Sequence, residues 1–251
     1  MKLSDFTLWE RMLKDIEIYW NKKSQNKEKF LKQKTISKTM HPPNTWLIEK
    51  YMKHGKSNEY CSKILPKIID PDIGSPTVKE GYSLSTTQHA YYLTVLYENL
   101  KLEITDFDHI TDVGGGYGNF YRIAKNLGYE KKFDIVDFPI IHEIQKYYIT
   151  ELELDLPDFI EIGDINPKGR SILFGFHSVN EMPMSDRELL EEKYSMYDNI
   201  MLLYNSHFDG IDNIEYFEKL KDQLSNTFNV EIIGNEMKGN ASFLIASRKE
   251  I

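Results

Sequence analysis

The stretch Ile110-Thr-Asp-Val-Gly-Gly-Gly-Tyr-Gly-Asn-Phe120 constrains this chain more than any other. A β-branched run carries Asp112, spaced glycines follow, and an amphipathic helical pattern begins. A strand must therefore turn tightly into a helix. The turn needs residues that accept positive φ and leave no Cβ in the way of a ligand approaching the backbone. Gly114, Gly116 and Gly118 supply this at the spacing G-x-G-x-G. The dinucleotide spacing G-x-G-x-x-G would need a glycine where the chain has Asn119. Strand, acid, glycine loop and helix in this order point to a nucleotide-type ligand rather than to an empty turn.

At 251 residues the chain can bury a full core, and its length suits one α/β domain with an added element. A single cysteine, Cys61, leaves no internal disulfide and no thiolate cage for a metal, and it reads as a small buried side chain in a reducing cytoplasm. No apolar run approaches the length that spans a bilayer, and the opening MKLSDFTLWE lacks a signal peptide's apolar stretch. A soluble cytoplasmic protein with no membrane partner is expected. The net charge of −8 argues against a nucleic-acid partner, because phosphate binding draws its affinity from lysine and arginine. Seven lysines and one glutamate between Lys22 and Lys38 give that segment +6 and leave −14 for the rest. It reads as a solvated connector.

Phe6, Trp9, Leu13, Ile16 and Trp20 recur at alternating spacings of three and four, which puts all five on one helix face. That stripe must pack on the body of the protein or on a second copy in a homodimer. After a break at His41-Pro-Pro-Asn44, short helical patterns cover Trp46–Met52 and Glu59–Ile69, and Asp70-Pro-Asp-Ile-Gly-Ser-Pro76 is a turn cluster. The expected division is an N-terminal helical extension over 1–75 and one domain over 76–251. From there the pattern is regular. A helix over about Ser85–Leu100 precedes a strand at His109–Val113, and a helix over Tyr117–Leu127 is closed by Gly128. A strand at Phe133–Val136 is followed by a helix from Pro139 through Tyr148, and a strand at Ile160–Ile162 by one at Ser171–Phe176. Ser185 and Glu188 form a capping box for the next helix, ahead of a strand at Asn199–Tyr204 and a helix over about Asn213–Leu224.

Asn229–Ile233 and Ser242–Ser247 are strand patterns joined only by Gly234–Asn240, too short a link for a crossover helix, so they must pair as an antiparallel hairpin. A dehydrogenase-type sheet would continue in βα units. With this hairpin, the glycine turn after Asp112 resembles the S-adenosylmethionine loop of class I methyltransferases. The expected fold is α/β: a doubly wound, mostly parallel, seven-stranded Rossmann-like sheet with a C-terminal antiparallel hairpin and an N-terminal helical extension.

In such a sheet the ligand lies beyond the carboxyl ends of the strands, near the point where strand order reverses. Asp112, Gly114, Gly116 and Gly118 make the loop. Asp137 ends the second strand, 19 residues past Gly118, where a carboxylate can accept hydrogen bonds from both ribose hydroxyls. Capping the helix after Pro139 is its competing role. Asp164 is placed to reach the adenine amino group with Ile165 against the ring, although Gly-Asp is also a common turn. Phe138 can pack on the adenine or fill the core, and core is the plainer reading.

Three motifs together resemble the sugar O-methyltransferase family: Asp112-Val-Gly-Gly-Gly-Tyr-Gly118, Ile135-Val-Asp-Phe-Pro139 continuing to Gln145-Lys-Tyr-Tyr148, and Ser178-Val-Asn-Glu-Met-Pro183. The resemblance covers residues 80 to 217 in fragments. Phe138 stands where that family usually has leucine, Asn180 where serine is common, and His177 where an aromatic is usual. The resemblance implies methyl transfer from S-adenosylmethionine to a hydroxyl of a sugar, on a nucleotide-linked or polysaccharide-precursor acceptor.

Methyl transfer to an alcohol needs in-line approach to the sulfonium carbon and a base for the hydroxyl proton. Candidates follow the fourth and fifth strands: His177, Ser178, Asn180 and Glu181 in one loop, Asn205, His207 and Asp209 in the other. His207 is expected as base with His177 second, Glu181 orienting the acceptor and Asn205 donating to a sugar oxygen. Ordinary turn roles compete for each, and Glu181 could instead cap the helix near Ser185. A divalent metal on Glu181, His207 and Asp209 lacks a tight ligand spacing, so no metal is expected. His89, in the helix before the first strand, reads as a helix-surface histidine. Two other functions stay open: a methyltransferase for an amine or phosphorylated metabolite, and a catalytically silent cofactor-binding partner protein.

Overall fold

Seven strands of this chain collect in one sheet and most of its N-terminal half lies in helices, and a computed structural model describes residues 8–22 and 26–249. Phe6 and Lys23, members of the apolar stripe and the basic segment, lie outside the described residues. Contacts divide the chain into two compact units. A helical unit holds residues up to Val95, Gly116–Leu127 and Phe138–Leu156, and a sheet unit holds Leu96–Gly115, Gly128–Asp137 and the residues from Pro157 onward.

The helical unit contains α1 (Leu8–Asn21), α2 (Lys34–Thr39), α3 (Thr45–Ser57), α4 (Glu59–Ile64), a two-residue hairpin β1 (Val78–Lys79) and β2 (Tyr82–Ser83), most of α5 (Leu84–Leu100), α6 (Asn119–Asn126) and α7 (Pro139–Glu151). The stripe on α1 turns part of its length into this unit, with Trp9 and Leu13 half-buried. Ile16 and Trp20 are buried, and the Trp20 ring meets Phe30 and Tyr147 edge-on, with centroids 6.1 and 5.5 Å apart. The basic segment is not a solvated connector. Lys27–Lys32 form a 3-10 turn and α2 follows, burying Phe30, Leu31 and Ile36 while Lys22, Lys29, Lys32, Lys34 and Lys38 stay exposed. Short helices let three apolar side chains turn inward between exposed lysines, a pattern too brief to show as periodicity.

Asp70, in the turn cluster, accepts hydrogen bonds from Ser83 N at 2.6 Å and Thr86 Oγ1 at 2.8 Å, and Arg122 Nη2 lies 3.3 Å away. Arg122, fully buried in α6, also donates to the carbonyls of Ile68 and Ile69, to Thr86 and to Asn119. Every donor of the guanidinium thus has an acceptor, which is what a buried arginine requires. Asn119 Nδ2 lies 3.2 Å from His89 Nδ1, and burial, with the Arg122 charge, pushes the His89 pKa down to about 3. His89 is therefore part of a buried polar network, not a surface histidine. The local helix pattern could not show that Asn119 and Arg122 face it.

The sheet unit holds β3 (His109–Val113), β4 (Lys132–Val136), β5 (Asp158–Ile160), β6 (Ser171–Phe176), β7 (Asn199–Asn205), the small hairpin β8 (His207–Phe208) and β9 (Ile211–Asp212), and β10 (Phe228–Gly234) and β11 (Ala241–Arg248), with helices α8 (Met184–Tyr194) and α9 (Asn213–Leu224). The seven-stranded order is β10-β11-β7-β6-β3-β4-β5. The inner ladders from β5 to β7 are parallel, and β11 pairs antiparallel with both β7 and β10. The expected fold is present, hairpin included. Its core joins both kinds of element, with Val113, Leu173, Leu202 and Leu244 from strands and Leu190, Tyr194, Phe217 and Leu220 from helices all buried together.

Three expectations are corrected. The third strand is Asp158–Ile160 rather than Ile160–Ile162, because its partner β4 ends opposite Ile160; Ile162–Asp164 then form a 3-10 turn. The Ser185/Glu188 capping box is absent, since α8 starts at Met184 behind Pro183 with no side-chain cap. Finally, α6 starts at Asn119, not Tyr117, because Gly118 has φ +92° and cannot be helical. Gly128 does close that helix, also at φ +92°.

Candidate active site

Strand order reverses at β3, which has β4 on one side and β6 on the other. The carboxyl ends of these strands are therefore the place to look for a ligand. Gly114, just past β3, donates its N–H to Val136 O at 2.8 Å, and a Cβ on it would overlap the Ser178 side chain. Ser178 Oγ in turn donates to Val113 O. One glycine and one serine thus knit the ends of β3, β4 and β6 together.

Asp112 is buried within β3, and its carboxyl makes no hydrogen bond among the described residues. Burial first, and the nearby Asp137 charge second, push its pKa up to about 8. A carboxyl raised in the folded state adds stability that is complete below its ordinary pKa near 4 and is lost as pH rises through about 8. Asp112→Asn, which cannot ionise, should therefore gain stability relative to the wild type by about 1 kcal/mol per pH unit across that window. Thermal melts from pH 5 to 8 check this; a wild-type-to-variant difference that ignores pH contradicts it.

The loop itself carries the backbone its sequence demanded. Gly114, Gly116 and Gly118 have φ of +77°, +57° and +92°. Within the helical unit, Gly116 O accepts from Gln145 Nε2 at 2.8 Å, while a Cβ on Gly116 would meet nothing nearer than the Met40 side chain at 3.9 Å.

Asp137 follows β4 and is half-buried. The N-cap of α7 is Phe138, which makes no side-chain cap hydrogen bond. Phe138 is not core: it is 41 % exposed, with the Trp9 ring 6.3 Å away. Its place before Pro139, at the very start of a helix, leaves its ring outside. Asp164 is exposed at the end of the 3-10 turn, and Ile165 is buried in the sheet unit's core.

On the acceptor side, the chain leaves β6 through His177, which adopts φ +64°, and the 3-10 turn Val179–Glu181. Both His177 ring nitrogens are closed off from solvent without a hydrogen-bond partner, and burial, then the Lys238 charge, pushes its pKa down to about 3. Asn180 is fully buried with neither side-chain polar atom paired. Its carbonyl accepts from Arg187 Nη2 at 2.7 Å, Met182 O from Arg187 Nε at 3.0 Å, and Asn213 Oδ1 from Arg187 Nη1 at 3.0 Å. Arg187 thereby clamps the loop that carries the candidates. Glu181 is half-buried and does not cap α8; Asn205, ending β7, accepts from Lys238 Nζ at 2.8 Å. His207 stands apart from this cluster on β8, with its side chain 67 % exposed and Nε2 3.9 Å from Asp212 Oδ2. Among the described residues no group of three or more His, Cys, Asp or Glu side chains stands ready to hold a metal ion, and no helix is long and apolar enough to cross a membrane.

Sequence reasoning missed Arg187 and Lys238. Neither belongs to a motif, and each reaches the site from an element whose own pattern serves another purpose: the buried face of a helix and a hairpin turn.

No family model matches the chain, and no curated protein matches it significantly. Solved structures do match. The chain is similar to a chain of the Pnkp1/Rnl/Hen1 RNA repair complex, 16 % identical with a TM-score of 0.50, the match covering 64 % of this chain and 41 % of that one. A second Pnkp1/Rnl/Hen1 structure gives 15 % identity and a TM-score of 0.51 over the same shares. Magnesium protoporphyrin IX methyltransferase (ChlM) from Synechocystis PCC 6803 is 13 % identical with a TM-score of 0.46, covering 65 % and 77 %. The match thus spans about two fifths of the Pnkp1/Rnl/Hen1 chains it meets. At these identities the likeness concerns the fold alone.

Proposed function

We propose that this protein transfers a methyl group from S-adenosylmethionine to a hydroxyl of a sugar, through a methyltransferase domain over 76–251 preceded by a helical extension over 1–75. One observation carries the cofactor part: three left-handed glycines follow directly on a strand bearing Asp112, buried and without a hydrogen bond among the described residues, at the point where strand order reverses. The residues fit the cofactor, because the loop glycines Gly114, Gly116 and Gly118 are left-handed and a half-buried carboxylate, Asp137, follows the next strand. Asp112, Gly114, Gly116 and Gly118 would hold the methionine end, Asp137 the ribose, and Asp164 the adenine amino group, with Ile165 and Phe138 as apolar flanks. When bound, S-adenosylmethionine supplies an electrophilic methyl carbon on sulfur.

The chain's own part is to bring the hydroxyl in line and take its proton. His207 takes the proton, with Asp212 Oδ2 3.9 Å from its Nε2. His177, held neutral, serves as a hydrogen-bonding group; Glu181 and Asn205 orient the acceptor. The sugar rests on the motif resemblance at Ile135–Pro139 and Ser178–Pro183.

Asp137→Ala should weaken binding of S-adenosylhomocysteine by about 1.5 to 3 kcal/mol, the scale for hydrogen bonds to a charged acceptor, with the melting temperature hardly changed. Calorimetry and melting on one sample decide it. Unchanged affinity would end the ribose assignment. For the reaction, release of S-adenosylhomocysteine is assayed against sugars, nucleotide sugars, amines and a short RNA. Turnover confined to sugar hydroxyls is expected; turnover on amines or RNA instead overturns the acceptor, and the RNA arm addresses the reading raised by the RNA repair complex. Cofactor binding with no turnover on any class would mark a silent partner protein.

A further inference from the structure

Charge is shared unevenly between the two units of this chain. The helical unit carries 19 basic against 14 acidic side chains, a net of +5, so the sheet unit carries −13. Lys22–Lys38 alone contribute +6, which leaves the rest of the helical unit near neutral. The 3-10 turn and α2 in that segment turn Phe30, Leu31 and Ile36 inward and leave Lys29, Lys32, Lys34 and Lys38 exposed. The ammonium groups of Lys29, Lys34 and Lys38 make no ion pair or hydrogen bond among the described residues, and that of Lys32 donates to the neutral Thr77 hydroxyl at 2.8 Å. Glu28 is the one acid between Asn21 and Ile48. Lys34 and Lys38 stand four apart on one helix, a like-charge spacing that destabilises it. An external polyanion would relieve that repulsion and gain affinity by displacing the counterions.

The segment also leads toward the glycine loop. Directly after α2 comes Met40, whose side chain lies 3.9 Å from where a Cβ on Gly116 would stand, within the same unit.

The composition of this face selects among polyanions. A membrane surface calls for apolar side chains pointing outward, and those of the segment are buried. Nucleic acid favours arginine forks and exposed rings for stacking; every cation from Lys22 to Lys38 is lysine, and Phe30, the one aromatic residue there, is buried. An acidic polysaccharide asks for point charges on flexible stems with hydroxyls between them, and the half-buried Thr35 and Ser37 lie between Lys34 and Lys38.

We propose that the lysine face of the 3-10 turn and α2 docks an acidic polysaccharide and leads it to the glycine loop, so that the methylated sugar is one unit of a carboxylate-bearing chain. The methylated sugar rests on the methyltransferase reading; the docking face does not.

The full chain is titrated with polygalacturonate, with uncharged dextran, with a single-stranded DNA oligonucleotide and with anionic phospholipid vesicles. Polygalacturonate should bind saturably, and more weakly as salt rises. The exposed triple variant Lys29→Gln/Lys34→Gln/Lys38→Gln should keep the wild-type melting temperature and lose about tenfold in affinity. Lys131→Gln/Lys168→Gln/Lys219→Gln removes the same charge from exposed positions of the sheet unit and should keep that affinity. No binding of polygalacturonate, equal binding of dextran, tighter binding of the oligonucleotide or the vesicles, or equal losses in the two triple variants overturns the proposal. So does a low-salt dimer that the first triple variant abolishes, which would assign the face to a second copy of the chain. S-adenosylhomocysteine binding is measured on the same wild-type sample. Polygalacturonate binding without it sinks the methyltransferase reading alone, and its binding without polygalacturonate sinks the docking face alone.

Discussion

Arg187→Met is expected to lower stability by about 2 to 4 kcal/mol, or roughly 4 to 16 °C in melting temperature for a chain of this size. The guanidinium is wholly buried, donates to Asn180 O, Met182 O and Asn213 Oδ1, and lies 4.6 Å from the Tyr216 ring centroid. Methionine keeps much of the volume but leaves three acceptors unpaired. Part of the loss is returned, because burial already disfavours the charged arginine and lowers its pKa. The consequence for function is larger than the stability figure. Arg187 holds both ends of the turn that carries Asn180 and Glu181, so the variant should lose most turnover even at temperatures where it stays folded. Scanning calorimetry and the methyl-transfer assay at a low temperature check both parts. A variant that melts within 2 °C of wild type would show that the clamp contributes little.

Gly116→Val should abolish cofactor binding, with at least a hundredfold loss. The side chain would project from the loop beside Met40 and block a ligand's approach to the backbone, and a β-branched residue at φ +57° is strained in its own right. Strain alone costs about 1 to 2 kcal/mol, so it must be separated from occlusion. Gly128→Val is the control. Gly128 has φ +92° with no neighbour within 4 Å and lies outside the loop, so its valine carries similar strain without reaching the candidate site. Gly116→Val should lose binding and Gly128→Val keep it. Equal loss in both would trace the effect to backbone strain and leave the loop without its assigned role.

Much of the sheet was legible because its signals are local. His109–Val113 and Ser171–Phe176 stand where the sequence places them, and the short link between the last two strands forces their antiparallel pairing. The third strand was misplaced because β4, not its own residues, decides where pairing stops. The glycine loop was legible since positive φ selects for glycine. The polar side chains were less so. Asp70 and Arg122 are 52 positions apart, and Lys238 and Asn205 are 33 apart, so no periodicity links either pair. Asp137 shows the middle case. Its place at the end of β4 was legible, but that position suits both a ribose ligand and the helix after Pro139, so the sequence allowed two roles.

The central claim is that the loop after β3 binds S-adenosylmethionine rather than a nicotinamide dinucleotide. Isothermal titration of the purified chain with S-adenosylhomocysteine and, separately, with NAD tests it most directly. The account predicts saturable one-to-one binding of S-adenosylhomocysteine, lost in Gly116→Val, and no comparable heat with NAD. Tighter binding of NAD, or no binding of S-adenosylhomocysteine by the wild-type chain, would contradict it.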